Sequence, residues 1–431
     1  MAVGSFRLPI TTSPQEDWVR PSDWLPMQTG ITEADQIFVG LHAVFPSGQN
    51  YAAFIFTTSA GQYQVDWGDG TVTLHNSNTI AQYDYDYASI SGSTLTSRGY
   101  KQAIITVTPV SGNLLTCNFQ ARYVTSPVQN QAYSTGFLDC ILSMPSANSG
   151  ASIVFGGGTV RNNYVERVDF KTIGLMTDLN TMFSLCRSLQ NVPLFNTTNV
   201  TNMAFMFNGC FSLKSVPLFN TENVTSMASM FVSCYSLQNI PLFNTANVSS
   251  MRVMFNSCYS LKSVPLFNTE NVTSMASMFA TCYSLQNIPL FNTENVTRME
   301  SMFGTCFSLQ NIPLFNTENV TNMSDIFSSC SVLNSIPALS TASITPTSGT
   351  DFGNFATSCN SLDKCEMVFA RTVSLTNCQL SQSALVEIFT NLVDRSATTS
   401  ANINISGNWG ASALTASDGL IATSKNWTIT G

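Results

Sequence analysis

The stretch NVTSMASMFVSCYSLQNIPLFNTANVSSMRVMFNSCYSLKSVPLFNT, Asn223–Thr269, says nearly the same 24-residue phrase twice. The phrase is rich in Met, Phe and Cys and holds no evident catalytic group, so its repetition points to a core and a surface. Working outward from it, Cys186, Cys210, Cys234, Cys258, Cys282, Cys306 and Cys330 recur at intervals of 24 residues. Pro193, Pro217, Pro241, Pro265, Pro289, Pro313 and Pro337 keep the same interval. A strict period of this length marks a solenoid, whose units cannot bury their apolar faces alone and must stack on their neighbours.

Two smaller patterns alternate within a unit. Val248, Met251, Phe255 and Cys258 fall at i, i+3, i+7 and i+10 and predict a helical turn. Leu261, Val264 and Leu266 predict a short strand, and the Asn-Thr-x-Asn stretch a turn. The expected fold is therefore an α/β leucine-rich-repeat solenoid with 24-residue repeats. Its core ladder includes Met227, Met251 and Met275 together with Cys210, Cys234, Cys258, Cys282 and Cys306. One Cys per unit, with no Cys-x-x-Cys pair and His42 and His75 as the sole histidines, is not a zinc pattern. Buried thiols are expected in preference to disulfides between neighbouring units.

Strand alternation would send Ile240 and Leu242 inward and Pro241 and Phe243 outward. Repeated, it lines up Phe195, Phe219, Phe243, Phe267, Phe291 and Phe315 as a candidate partner-binding face, with polar Gln238, Lys262 and Gln286 alongside. The competing reading ends the strand at Leu242 and tucks each Phe into the core. It is preferred, because six exposed phenylalanines would invite aggregation.

The repeat also carries a resemblance. N-V-T-x-M-x-x-M-F-x-x-C-x-x-L is similar to the BspA-type leucine-rich repeat of bacterial surface proteins, clearly from Thr172 to Thr341 and in degenerate form from Phe352 to Leu362. That resemblance implies adhesion and partner binding and no catalytic residues. At the ends of the array, Val165–Cys186 reads as an atypical first unit. Leu385, Ile388, Phe389 and Leu392 predict an amphipathic helix, followed by closing strands in NINISGNWG and KNWTITG.

Ahead of the repeats, the alternation Tyr63, Val65, Trp67 predicts a strand that Gly68-Asp69-Gly70 turns back into a hairpin. Further strands are expected in AQYDYDY and KQAIITVTPV, together suggesting a β-sandwich. The segment Asp66, Trp67, Gly68, Asp69, Gly70 resembles the hairpin of the polycystic-kidney-disease (PKD) type of Ig-like domain, over Phe38 to Val110. YDYDY departs from the His-x-Tyr that often follows there. A turn role for Asp66 and Asp69 is preferred to a Ca²⁺ site. The expected organisation is a multidomain chain: a docking arm over 1–34, an Ig/PKD-like all-β sandwich over 35–110 and a β-rich linker or extension over 111–168. The solenoid follows over 169–377 and a C-terminal cap over 378–431.

The chain has 431 residues, of which 44% are hydrophobic and only 10% charged, against roughly 25% charged in an average soluble protein. The net charge is −8 and no Lys/Arg cluster occurs, so nucleic acid is not an expected partner. No apolar run reaches the roughly 20 residues of a membrane span, and the N-terminus lacks the pattern of a signal peptide. No triad context, H-E-x-x-H, G-x-S-x-G or P-loop occurs, and Glu222, Glu270, Glu294 and Glu318 recur as repeat geometry, so no enzyme activity and no cofactor are expected. The preferred expectation is a bacteriophage virion structural protein: a tail-fibre or receptor-binding component, or a capsid decoration. Its N-terminal region would join other virion proteins and its solenoid would meet a host-surface protein or glycan, with a homo-oligomer left open. The alternatives are a bacterial cell-surface adhesin and an intracellular scaffold.

Overall fold

The computed structural model describes residues 18–47, 50–124, 131–133, 136–156, 163–340 and 352–431. The chain is mostly β, with a β-solenoid of about ten turns and few helices.

The solenoid is built from backbone exchange between turns. Met203, Phe205, Phe207 and Gly209 donate their N–H groups to the carbonyls of Ser226, Ala228, Met230 and Val232 in the next turn, at 2.7–3.1 Å. Thr225 and Gln238 donate in the other direction, to Thr201 at 2.8 Å and Lys214 at 2.9 Å. Isolated parallel bridges run through Asp178, Asn202, Ser226, Ser250, Ser274, Arg298 and Asn322, one per turn.

The expected helical turn is not formed. Within a unit, Met230 donates to Met227 and Cys234 to Phe231, three residues back, and Ser229 and Ser233 sit between these bonds at φ 57°. A left-handed residue every fourth position stops a helix from propagating and leaves consecutive tight turns. Such turns place side chains with nearly the spacing of a helix, which is why the sequence pattern reads as one. The expected strand at Leu261–Leu266 is also absent. There Leu261, Val264 and Phe267 are the buried positions, as are Leu237, Ile240 and Phe243 one turn earlier, a period of three rather than two. Pro241 supplies no N–H for a ladder, and Phe243 bonds back to the Pro241 carbonyl at 2.9 Å.

The front region contains β1 (Ile37–Val44), β2 (Tyr51–Asp66), β3 (Val72–Asn76), β4 (Ile80–Asp84), β5 (Lys101–Asn118), β6 (Arg122–Val124), β7 (Gln131–Tyr133), β8 (Phe137–Ser143), β9 (Ile153–Val154) and β10 (Arg167–Thr172). Eight of these form one mixed sheet in the order β10-β8-β1-β5-β2-β3, with β4 also on β2 and β9 on β5, while β6 and β7 pair separately. The long β2–β5 pair shifts register between Thr57 and Tyr63. Gly61 (φ 70°) and Gly112 (φ 71°) lie at that bend, where left-handed backbone is needed and a Cβ would meet Ser111 or Ser59. The sheet folds over on itself there. Phe54 and Trp67, thirteen positions apart along the strand direction, have ring centroids 5.5 Å apart. The expected sandwich of two separate sheets is thus replaced by two layers of a single sheet.

One hydrophobic core runs from the front region into the solenoid. Phe119, Phe155, Phe183 and Phe207 stack in succession, with centroids 4.7, 5.6 and 5.5 Å apart, and carry the packing from β5 into the repeats. Strand β1 is buried on both faces, because residues 18–31 lie over its outer side with Trp24, Leu25, Met27 and Ile31 packed on Val39, Leu41 and Ala43. This strap is pinned by Arg20, whose Nε donates to Asp139 Oδ2 at 2.8 Å; Arg167 donates to the other oxygen at 3.1 Å. Asp139 is fully buried, so both guanidinium groups are needed to compensate its charge. The part of the expected docking arm before Trp18 lies outside the described residues.

At the far end, β11 (Ser335–Ile336) pairs β12 (Lys364–Cys365), and β13 (Val373–Ser374), β14 (Ala401–Asn404) and β15 (Trp427–Thr430) form a parallel three-stranded sheet. Helix α1 (Gln382–Asn391) turns Leu385, Ile388 and Phe389 inward, is capped by Ser381 and packs beside α2 (Ala416–Thr423).

Candidate functional site: the columns of the solenoid

Every turn repeats the same side chains at the same height, so the solenoid is best read as vertical columns. The interior columns are closed to any ligand. Phe183, Phe207, Phe231, Phe255, Phe279, Phe303 and Phe327 form a stack with centroid spacings of 5.5–5.9 Å. Met227, Met251 and Met275 are fully buried beside it. Cys210, Cys234, Cys258, Cys282 and Cys306 are free and buried, and each thiol donates to a Phe carbonyl of the preceding turn at 3.0–3.2 Å. Burial pushes the Cys282 thiol up to about 12, far from the thiolate a nucleophile requires. A weak donor that tolerates burial explains why Cys, and not Ala or Ser, occupies this column.

Buried hydroxyls do similar work. Thr197, Thr221, Thr245, Thr269, Thr293 and Thr317 each donate to a main-chain carbonyl in the next turn at 2.6–2.8 Å. The side-chain amides of Asn223, Asn247, Asn271, Asn295 and Asn319 donate to the preceding turn at 2.7–2.8 Å.

The six phenylalanines named as a candidate partner-binding face are core, as the preferred of the two sequence readings had it. Phe195, Phe219, Phe243, Phe267, Phe291 and Phe315 are only 2–6% exposed. Their places on the surface are taken by Leu194, Leu218, Leu242, Leu266, Leu290 and Leu314, each 53–62% exposed. The exchange follows from the period of three, which turns Phe243 inward and Leu242 outward. Gln238, Lys262 and Gln286 are exposed as expected and form a column of their own.

A further column escaped the sequence reading. Phe211, Tyr235, Tyr259, Tyr283 and Phe307 stack at 4.4–4.9 Å along the outside, three residues before the Gln/Lys column. The first four are half-buried and Phe307 is exposed. Arg187 lies over Phe211 at 4.8 Å and closes that end of the stack. Their shared 24-residue interval was the available signal.

In the front region, Asp66 Oδ1 accepts from the Gly68 N–H at 2.9 Å and Asp69 Oδ1 from Thr71 at 2.9 Å, with Gly70 between them. Trp67 is buried and its indole donates to Thr73 at 2.8 Å. Burial would raise the Asp69 carboxyl, but hydrogen bonds from Tyr83 and Thr71 outweigh it and hold the group below its ordinary value. These bonds are those of a turn. Among the described residues no group of His, Cys, Asp and Glu is arranged to hold a metal ion, and no helix is long and apolar enough to cross a membrane.

Residues 177–286, 238–340 and 262–361 each match the family model described as a Mycoplasma protein of unknown function, DUF285. No curated protein matches the chain. The overlapping matches and the stacked turns beneath them fit a BspA-like repeat protein.

Proposed function

We propose that this chain is a non-enzymatic structural and attachment protein, a tail-fibre, receptor-binding or decoration component of a virion that meets a host-surface protein or glycan through its solenoid. The observation that carries the binding role is the pair of adjoining outer columns: the aromatic stack from Phe211 to Phe307 and the exposed Gln238, Lys262, Gln286 column beside it. Ring edges with phenol hydroxyls next to neutral amides are chemistry suited to sugars and to polar protein surfaces. Repetition through successive turns supports extended contact, in which weak unit contacts add. The continuous core from the front sheet into the repeats supports a rigid mount, with the N-terminal region as the attachment to other virion proteins. A bacterial surface adhesin is the second reading, favoured by the match to a family described from Mycoplasma.

The location is tested by mass spectrometry of purified particles with an antibody label against residues 170–431. Label on tail tips or capsid supports the virion reading, and absence from particles transfers the proposal to the cell surface. The binding role is tested by glycan arrays and host-cell binding of the full chain against Tyr259→Ala and Gln286→Ala variants. Binding unchanged in both would remove these columns from the proposal.

A further inference from the structure

The leucine column adjoins the Gln/Lys column of the attachment surface. Its first two turns, Leu194 and Leu218, stand beside the strap and are still 62% and 53% exposed. Trp18 and Arg20 of the strap border a groove with Pro193, Leu194 and Pro217, and Ile31 borders a second with Leu194 and Leu218. Leu242, Leu266, Leu290 and Leu314 continue the same stripe beyond the strap with 59–62% of their surface exposed. Four leucines in register at about 4.8 Å per turn make an apolar strip of a kind that marks interaction sites.

A largely neutral column with one lysine and an acidic column flank it. Four residues before each leucine stands the Gln/Lys column, with Lys262 beside Leu266; four residues after stands the acidic column, with Glu270, Glu294 and Glu318 in consecutive turns. All four charged residues are exposed, and no ion pair within the chain engages Lys262 or Glu270 among the described residues. Three like charges at one height after another repel across the ladder, and opposite charge from outside relieves them.

We infer that the stripe from Leu242 to Leu314 is a dimer interface that receives the same stripe of a second copy, with the two-fold axis parallel to the solenoid. A second copy has the same pitch by construction, so all four leucines meet partners at once. Laid face to face about that axis, the Gln/Lys column of one copy falls over the acidic column of the other, placing Lys262 opposite Glu270 of the second copy. The reverse orientation places acidic column over acidic column. Pro241, Pro265, Pro289 and Pro313 withhold N–H donors along the strip, so the contact is one of side chains rather than an added strand. The tyrosine column lies beyond the rim of this interface. The interface shares the Gln/Lys column with the attachment reading, and self-association, not ligand binding, is the readout that tests it.

The test uses the full chain. Sedimentation velocity from about 1 to 100 µM is expected to give twice the 46.8 kDa chain mass. Leu266→Glu is expected to give monomer, and Lys262→Glu to weaken the dimer about tenfold, with Lys262→Glu combined with Glu270→Lys restoring it. Thermal midpoints of the variants check that each is folded. Because all twelve native cysteines are buried, Leu266→Cys introduces the accessible thiol. Mild oxidation is expected to link it to its own copy, while Thr273→Cys, exposed in the acidic-side turn, is not linked. A single-chain mass at every concentration, or a dimer that survives Leu266→Glu, overturns the inference. So does cross-linking confined to Leu242→Cys mixed with Leu314→Cys, which reports the reverse orientation. A monomer whose Leu266→Cys thiol resists alkylation has the stripe covered by its own chain and overturns it too.

Discussion

The solenoid and the front sheet share one core but satisfy their buried polar groups in opposite ways. In the solenoid one solution is found once and repeated: each buried Thr hydroxyl meets the carbonyl of the next turn, each buried thiol that of the preceding turn. In the front region the solutions are individual. Asp139 is held by two arginines, one from the strap and one from β10. His42 lies fully buried between Tyr85 and Phe137, and neither ring nitrogen makes a well-formed hydrogen bond. Repetition makes a defect local and nearly uniform in cost, whereas the irregular sheet concentrates its vulnerability in a few residues.

The largest effect that would sharpen this contrast is a cavity in the Phe stack. Phe255→Ala is expected to cost about 3–5 kcal/mol in chemical unfolding, because two stacked neighbours hold the gap open. Phe279→Ala should cost nearly the same; a large difference would break the picture of equivalent turns.

Next comes acid. Burial, which outweighs weak approaches from the Tyr51 and Ala43 backbone, pushes the His42 imidazole down to about 4. Between its ordinary value of about 6.5 and 4, the unfolded chain takes up a proton that the folded chain refuses. Stability is therefore full above pH 6.5 and falls as the pH drops toward 4, by at most about 3 kcal/mol. His75, also lowered by burial, adds in the same direction. His42→Phe should flatten the profile in that window, and hydrogen exchange should place the acid-sensitive opening in the front sheet. Opening that begins in the repeats would contradict the comparison.

Asp139→Asn removes the charge that both arginines compensate. We expect a loss of about 2–3 kcal/mol, below that of a fully buried pair because both arginines are partly exposed. Faster amide exchange over residues 18–31, with the repeats unchanged, would identify the pair as the pin of the strap.

The smallest effect is a gain. Val253 stands at φ 60° where neighbouring turns place Ser229 and Ser277. A β-branched residue is strained there, so Val253→Ser should stabilise by about 1 kcal/mol. A loss measured in the same unfolding assay would mean that Val253 packing outweighs its backbone strain.

Much of this architecture was legible in the sequence. The 24-residue interval gave the solenoid and the residues that share a column. The Met, Cys and Phe ladder read as core because polar alternatives never intrude on it. Less legible was the direction in which a residue points. Val248, Met251, Phe255 and Cys258 have helical spacing, yet consecutive tight turns give almost the same spacing. Leu242 and Phe243 are adjacent; strand alternation would have reversed them, and the preferred reading placed Phe243 correctly in the core but kept Leu242 inward, where the structure exposes it.

By itself, the sequence determined which positions are equivalent, since identity at a fixed interval needs no knowledge of geometry. Only the tertiary structure decided which equivalent column faces water, because that depends on backbone φ values and on hydrogen bonds made to the next turn. It also decided that front sheet and repeats are continuous. The Phe119, Phe155, Phe183 stack joins residues far apart in sequence, and no local pattern announces a contact that long-range packing creates.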